Sequence, residues 1–114
     1  MYEHIMVIGN VGNVKEGTGA KPYLRMSIAT NSSYKDKSGK EHEQTNWYSV
    51  TLWDDKRIEY YKGKIGKGDL VLVTGTPSLR TYENDDKKGV ELAILTEFDG
   101  KFKILKHASN VKDA

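Results

Sequence analysis

The strongest constraint on this chain is a change of period. Over most of its 114 positions apolar residues alternate with polar ones, which is the two-residue rhythm of strands. One stretch, about Asp55 to Ile65, repeats at the spacing of a helix instead. There Ile58, Tyr61 and Ile65 form an apolar stripe, Asp54 or Asp55 supplies a cap, and Gly66 and Gly68 stop the pattern. The alternating segments predict strands from His4 to about Val14, Tyr23 to Ser33, Thr45 to Trp53, Asp69 to about Tyr82, and Val90 to Phe98. Gly9 and Gly12 mark a bend or bulge in the first. Asp99-Gly100 reads as a hairpin turn into a short returning strand, Lys101 to Lys106. Leu24, Met26 and Ile28, then Tyr48, Val50 and Leu52, and finally Val90, Leu92, Ile94 and Phe98 are the expected inward faces.

Three strands, one helix, then two or more strands predict an all-β fold. The best match is a five-stranded Greek-key barrel of the OB type, with its helix between strands three and four. A sandwich would need more strands and has no place for the helix, and a parallel α/β sheet would need helices after most strands. Residues 1–106 are expected to form one domain and 107–114 a short flexible tail. The length suffices for one core without staples. With no cysteine, disulfides and thiolate zinc sites are excluded. The opening MYEHIMVIGN has no basic leader and no long apolar run, so a soluble cytoplasmic protein without a membrane partner is expected.

The third strand carries the functional signal. Opposite its core face stand Trp47, Ser49, Thr51 and Trp53, two indoles among small hydroxyl residues, which is an odd composition for a core. The tryptophans are six residues apart, so about 20 Å separates them at the usual strand rise. Tyr34 lies where strand two enters a loop with Lys35, Lys37 and Lys40. Tyr82 lies where strand four enters a second loop with Lys87 and Lys88, two residues after Arg80. Rings that accept any base beside cations that track phosphates are what a sequence-tolerant binder of single-stranded nucleic acid needs. The net charge of +2 does not itself indicate a polyanion partner, so the distribution of charge carries this argument.

Nothing in the sequence points to catalysis, a metal or a cofactor. Gly63 to Gly68 and Gly17 to Lys21 superficially resemble phosphate loops, but neither lies between a strand and a following helix. His4, His42 and His107 are scattered, and the pairs Asp54-Asp55, Asp85-Asp86 and Glu41/Glu43 sit where solvated acids are expected.

From about residue 4 to 98 the chain resembles the bacterial single-stranded DNA-binding protein family, which also occurs in phages, plasmids and mitochondria. The resemblance rests on Val7-Ile8-Gly9-Asn10-Val11-Gly12, Ile28-Ala29-Thr30-Asn31, and Ser33-Tyr34-Lys35-Asp36-Lys37. It continues through Gln44-Thr45-Asn46-Trp47-Tyr48, Lys67-Gly68-Asp69-Leu70-Val71, Gly75 and Leu79-Arg80-Thr81-Tyr82. It implies base stacking at Tyr34, Trp47, Trp53 and Tyr82 and phosphate contacts at Lys37 and Arg80. A family arginine two residues after the first tryptophan is Ser49 here, a histidine near the subunit interface is Tyr48, and a Gly-Lys pair is Asp54-Asp55. The resemblance further implies a homotetramer, a nucleoid-associated location, and roles in replication, recombination and repair. Family members usually end in an acidic tip that recruits repair and replication proteins. The last residues, Ser109 to Ala114, contain no such cluster, so recruitment by that route is not expected. Two alternatives remain open at this point: an OB-fold accessory of replication restart or recombination acting mainly through protein partners, and an RNA-binding OB domain.

Overall fold

A computed structural model describes residues 1–84, 87–96 and 100–108, with residues 82–84 and 87–89 described by backbone only. The elements are β1 (Ile5–Gly17), β2 (Tyr23–Lys35), β3 (Glu41–Leu52), α1 (Asp55–Tyr61), β4 (Leu70–Asn84), β5 (Lys87–Leu95) and β6 (Phe102–Lys106). Strands β1 to β5 run in the order β1-β2-β3-β5-β4, and β4 closes back on β1 through antiparallel pairs from Ile5–Gly75 to Asn10–Leu70. This is the expected closed five-stranded barrel, with α1 between β3 and β4. The seam between β3 and β5 is short and parallel, with Ser49 opposite Ala93 and Val50 opposite Ile94.

The alternation places the core as expected. Leu24, Met26, Ile28, Val50 and Leu52 are buried, joined by Val7, Val11, Val71, Val73, Ile94 and Phe102. Each large aliphatic side chain so buried stabilises the fold by about 1.5–3 kcal/mol. The bend expected in β1 is a bulge: Val11 pairs with Ile28 and Val14 with Met26, so β1 carries one residue more than β2 across that step. Pro77, an unusual residue for a strand, sits just past the last β1 pair on β4, where only the β5 side is occupied.

Four expectations are corrected. The helix ends at Tyr61 rather than Ile65, because Lys62 adopts an extended backbone and Gly63 a φ of +80°, a left-handed conformation that suits glycine. Ile65 nevertheless stays in the core, as does Ile58, and the Tyr61 hydroxyl donates to the Phe102 carbonyl at 2.7 Å. Second, β2 reaches Lys35 and β3 begins at Glu41, so the two extend past the barrel as a solvated arm. Third, Val90 is 65% exposed rather than inward, because it lies on the β4–β5 arm opposite Thr81, with no second layer over it; Leu92 is half-buried and Ile94 fully buried.

Fourth, β6 is not a hairpin return. Both β5 and β6 are antiparallel to β4, β5 along Thr76 to Asn84 and β6 along Leu70 to Val73, so β6 resumes the direction of β5 after an excursion. The reason is the length of β4, whose first half would otherwise leave one edge unpaired. Backbone bonds between Thr74 and Lys101, at 2.8 and 3.1 Å, pin the re-entry. Phe98 and Asp99, both part of that expectation, lie outside the described residues.

Beyond β6, Asp69 is buried and accepts from the Ala108 amide at 2.7 Å and the Gly66 amide at 2.9 Å, with His107 Nδ1 at 3.3 Å. Burial raises its carboxyl, but these bonds outweigh burial and hold it below the ordinary value. Residues 109–114 lie outside the described residues. Among the described residues, no helix is long and apolar enough to cross a membrane.

Candidate nucleic-acid interface

The unbroken β2–β3 register sets out the candidate face. Arg25 pairs with Thr51, Ser27 with Ser49, and Ala29 with Trp47, all on the side opposite the core pairs Leu24–Leu52 and Met26–Val50. Trp47 and Trp53 stand out of this face, 58% and 48% exposed. Between them the surface is low. Ser49 and Thr51 line it, and Ala93 from β5, opposite Ser49, is buried beside them. The small hydroxyl residues that looked wrong for a core are thus the floor of a groove.

Each indole has a support. The Trp47 ring lies over Gly12 at the β1 bulge, where a Cβ would come within 2.6 Å of it. Trp53 leans on Tyr23, centroids 5.5 Å apart and planes tilted by 55°. Tyr23 in turn lies over Gly17, whose missing side chain would collide with its ring. Beside Trp53 a cavity of about 330 Å³ is walled by Tyr23, Arg25 and Arg80, and beside Trp47 another of about 320 Å³ by Lys15, Arg25 and Glu91. Arg80 reaches Glu91 Oε1, its cross-strand partner, at 3.5 Å.

Of the two acids next to Trp53, Asp54 is less free than the sequence suggests, while Asp55 stays exposed in the first turn of α1. Asp54 caps α1, accepting from the Arg57 amide at 3.1 Å and from Arg57 Nε at 2.7 Å. Partial burial raises its carboxyl, and the bonds from Arg57 overcome this and lower it. Arg57 also reaches Thr96, so the Asp54 charge is absorbed in fixing the helix to the end of β5.

Tyr34 is placed apart from the tryptophans. It pairs with His42, in step with the core pairs, so it projects from the opposite face of the β2–β3 ribbon to Trp47, far along the arm. Its ring stacks on His42, centroids 5.2 Å apart and planes within 19°. His42 Nε2 in turn lies 2.7 Å from Asp36 Oδ2. Asp36 Oδ1 takes the Ser38 amide and hydroxyl and the Lys40 amide, closing the turn. These bonds, from Ser38 first and His42 next, hold the Asp36 carboxyl down to about 2. Lys35, Lys37 and Lys40 are exposed around that turn. On the other arm Tyr82 pairs with Gly89, while Lys88 and Lys87 pair with Glu83 and Asn84. The side chains at 82, 87 and 88 lie outside the described residues.

Sequence reasoning singled out the projecting rings but missed what supports and surrounds them: Gly12, Tyr23, Arg25 and Lys15 at the groove, and His42 on the arm. Alternation puts Arg25 on the outer face of β2. Only the cross-strand register shows that it stands opposite Thr51, between the tryptophans. Among the described residues, no cluster of three or more His, Asp or Glu could hold a metal.

A closed barrel with one helix at this point in the chain order, and an aromatic, partly basic outer face, defines an OB-fold protein of the kind that takes ligands on its strands. The model of the single-strand binding protein family matches residues 2–99. The chain belongs to that family. It is 27% identical over 117 aligned positions to the mitochondrial single-stranded DNA-binding protein RIM1 of Saccharomyces cerevisiae, covering 99% of this chain and 79% of that protein. It is 28% identical to single-stranded DNA-binding protein 1 of Chlorobaculum tepidum over 75% of this chain, and spans only 53% of that relative's length. The Plasmodium falciparum SSB solved in complex with ssDNA has the same fold: TM-score 0.74, 24% identity, 93% of this chain and 96% of that one covered.

Proposed function

We propose that this chain binds single-stranded DNA without reading its sequence. Bases stack on Trp47, Trp53, Tyr34 and Tyr82, and phosphates are held by Lys35, Lys37, Lys40, Arg80, Lys87 and Lys88. One observation carries the reading: in a member of the single-strand binding family, two indoles stand 58% and 48% exposed on one face over a floor of small residues. A base laid on such a ring contributes about 1–3 kcal/mol whatever its identity. The domain, residues 1–106, acts by binding rather than catalysis, protecting exposed strands in replication, recombination and repair, in association with the nucleoid.

The assembly we propose is a homotetramer. Met6 and Ile8, two residues apart on β1, are 60% and 49% exposed. On the β4–β5 arm Leu79 and Val90, diagonal neighbours across the ladder, are 73% and 65% exposed. Two apolar patches away from the tryptophan face are what contacts with further copies would cover.

Titrating intrinsic tryptophan fluorescence with oligo-dT, mixed-sequence DNA and matched RNA tests the proposal. Strong quenching by both DNAs, weaker by RNA, is expected. No quenching, or a clear preference for RNA, would overturn it.

A further inference from the structure

Strand β3 and the residue that follows it bring two rings, Trp47 and Trp53, to the groove but no cation between them on that face, only Ser49 and Thr51. The positive charge there comes from β2. Arg25 stands opposite Thr51, and its neighbours Leu24 and Met26 point into the core, so its guanidinium belongs to the outer face. Of the residues lining the two cavities, Arg25 alone lines both, the one beside Trp53 and the one beside Trp47.

Its electrostatic surroundings separate it from the other arginines. Arg57 is tied to Asp54 and Thr96. Arg80, the second guanidinium at the groove, is paired with Glu91. Arg25 makes no ion pair among the described residues. Its cross-strand partner on β1 is Lys15, which adds charge of the same sign. Glu91, the acid in the cavity beside Trp47, is already engaged by Arg80. An anion entering between the tryptophans therefore meets one uncommitted guanidinium, with five donors in a planar fork that suits phosphate oxygens.

We infer that Arg25 is the main phosphate-binding cation of the tryptophan groove. It holds the backbone of a strand whose bases rest on Trp47 and Trp53, and it outranks Arg80. This rests on the single-strand binding reading and adds to it a cation that β3 does not provide. Bases over Trp47 and Trp53 leave the connecting backbone above Ser49 and Thr51, within the span that Arg25 flanks.

The test is an oligo-dT titration at several salt concentrations with the full chain and the variants Arg25→Gln, Arg25→Lys, Arg80→Gln and Trp53→Ala. Arg25→Gln should lose affinity about tenfold, more than Arg80→Gln, and its slope of log affinity on log salt should become shallower by about 0.7, the value for one single-strand phosphate contact. Arg25→Lys should keep the salt slope, which shows that charge rather than packing is lost. Trp53→Ala should weaken binding at an unchanged slope. If Arg25→Gln binds like the unaltered protein while Trp53→Ala is impaired, Arg25 is an ordinary solvated arginine and the inference fails alone. A loss no larger than that of Arg80→Gln overturns the ranking. If the unaltered protein does not bind, the single-strand reading itself fails, and this inference with it.

Discussion

The ring of Trp47 lies on Gly12: a Cβ at that glycine would sit 2.6 Å from the indole and 2.9 Å from the Ser27 hydroxyl. Both neighbours are side chains, so an added methyl displaces the ring and leaves the backbone of the barrel in place. Gly12→Ala should therefore leave the thermal midpoint nearly unchanged and weaken oligonucleotide binding roughly threefold to tenfold, part of the value of one stacked base. In a Trp47→Ala background the same substitution should have little effect, because there is no ring left to displace. Equal losses in both backgrounds would mean that Gly12 acts on the barrel and not through the tryptophan.

Trp53 is held differently, by the tilted ring of Tyr23 at 5.5 Å. Trp53→Ala should cost about 1–3 kcal/mol of binding with the fold intact. Tyr23→Phe keeps the ring and should bind normally. Tyr23→Leu loses it and should show an intermediate loss, with a changed Trp53 emission spectrum. Normal binding by Tyr23→Leu would show that Trp53 needs no support.

Much of this was legible in the sequence because the barrel has a wet and a dry side. Where one side is buried, alternation is strong, and Leu24, Met26, Ile28, Val50 and Leu52 are where it places them. The break to a helical period fixed α1 within a few residues. What stayed hidden is what alternation cannot carry. On the β2–β3 arm both faces are solvated, so the strand past Ser33 and before Thr45 has no contrast to read. Val90 is apolar and in phase, yet exposed, because its arm lies beyond the second layer. The path of β6 depends on which edge of β4 is vacant, a property of the closed sheet rather than of residues 99–106. In the same way, Trp47 and Trp53 could be named from one strand, while Gly12, Tyr23 and Arg25 come from strands that only the register sets beside them.

Because Tyr34 leaves the β2–β3 ribbon on the face opposite Trp47, one short strand cannot touch both. A strand must pass around the arm to do so. Tyr34→Ala should leave the affinity of an oligonucleotide at the short end of OB-fold site sizes, about 4 nucleotides, unchanged. It should weaken one near the long end, about 16 nucleotides. Trp47→Ala should weaken both. Equal sensitivity of the short oligonucleotide to Tyr34→Ala and Trp47→Ala would put the two rings on one path.

The arm's turn has an acid limit set by Asp36. Its carboxyl takes the Ser38 amide and hydroxyl, the Lys40 amide and His42, and these bonds hold it at about 2 against an ordinary 3.8. A carboxyl lowered on folding stabilises the folded form above the unfolded value. That contribution shrinks as pH falls below 3.8 and is gone below about 2. The Asp36 carboxylate should therefore stay ionised between pH 5 and 8, roughly the range of ordinary stability maxima. In an NMR titration its carboxyl carbon should move only in strong acid, with the amide signals of Ser38 and Lys40 following it there. Ser38 is the largest contributor to the lowering and His42 the next. Ser38→Ala should therefore raise the Asp36 midpoint more than His42→Phe, which keeps an aromatic ring against Tyr34 but loses the bond to the carboxylate. An Asp36 midpoint near 3.8 in the unaltered protein would show that these bonds do not hold the turn, and the reverse order of the two variants would show that His42 contributes more than Ser38.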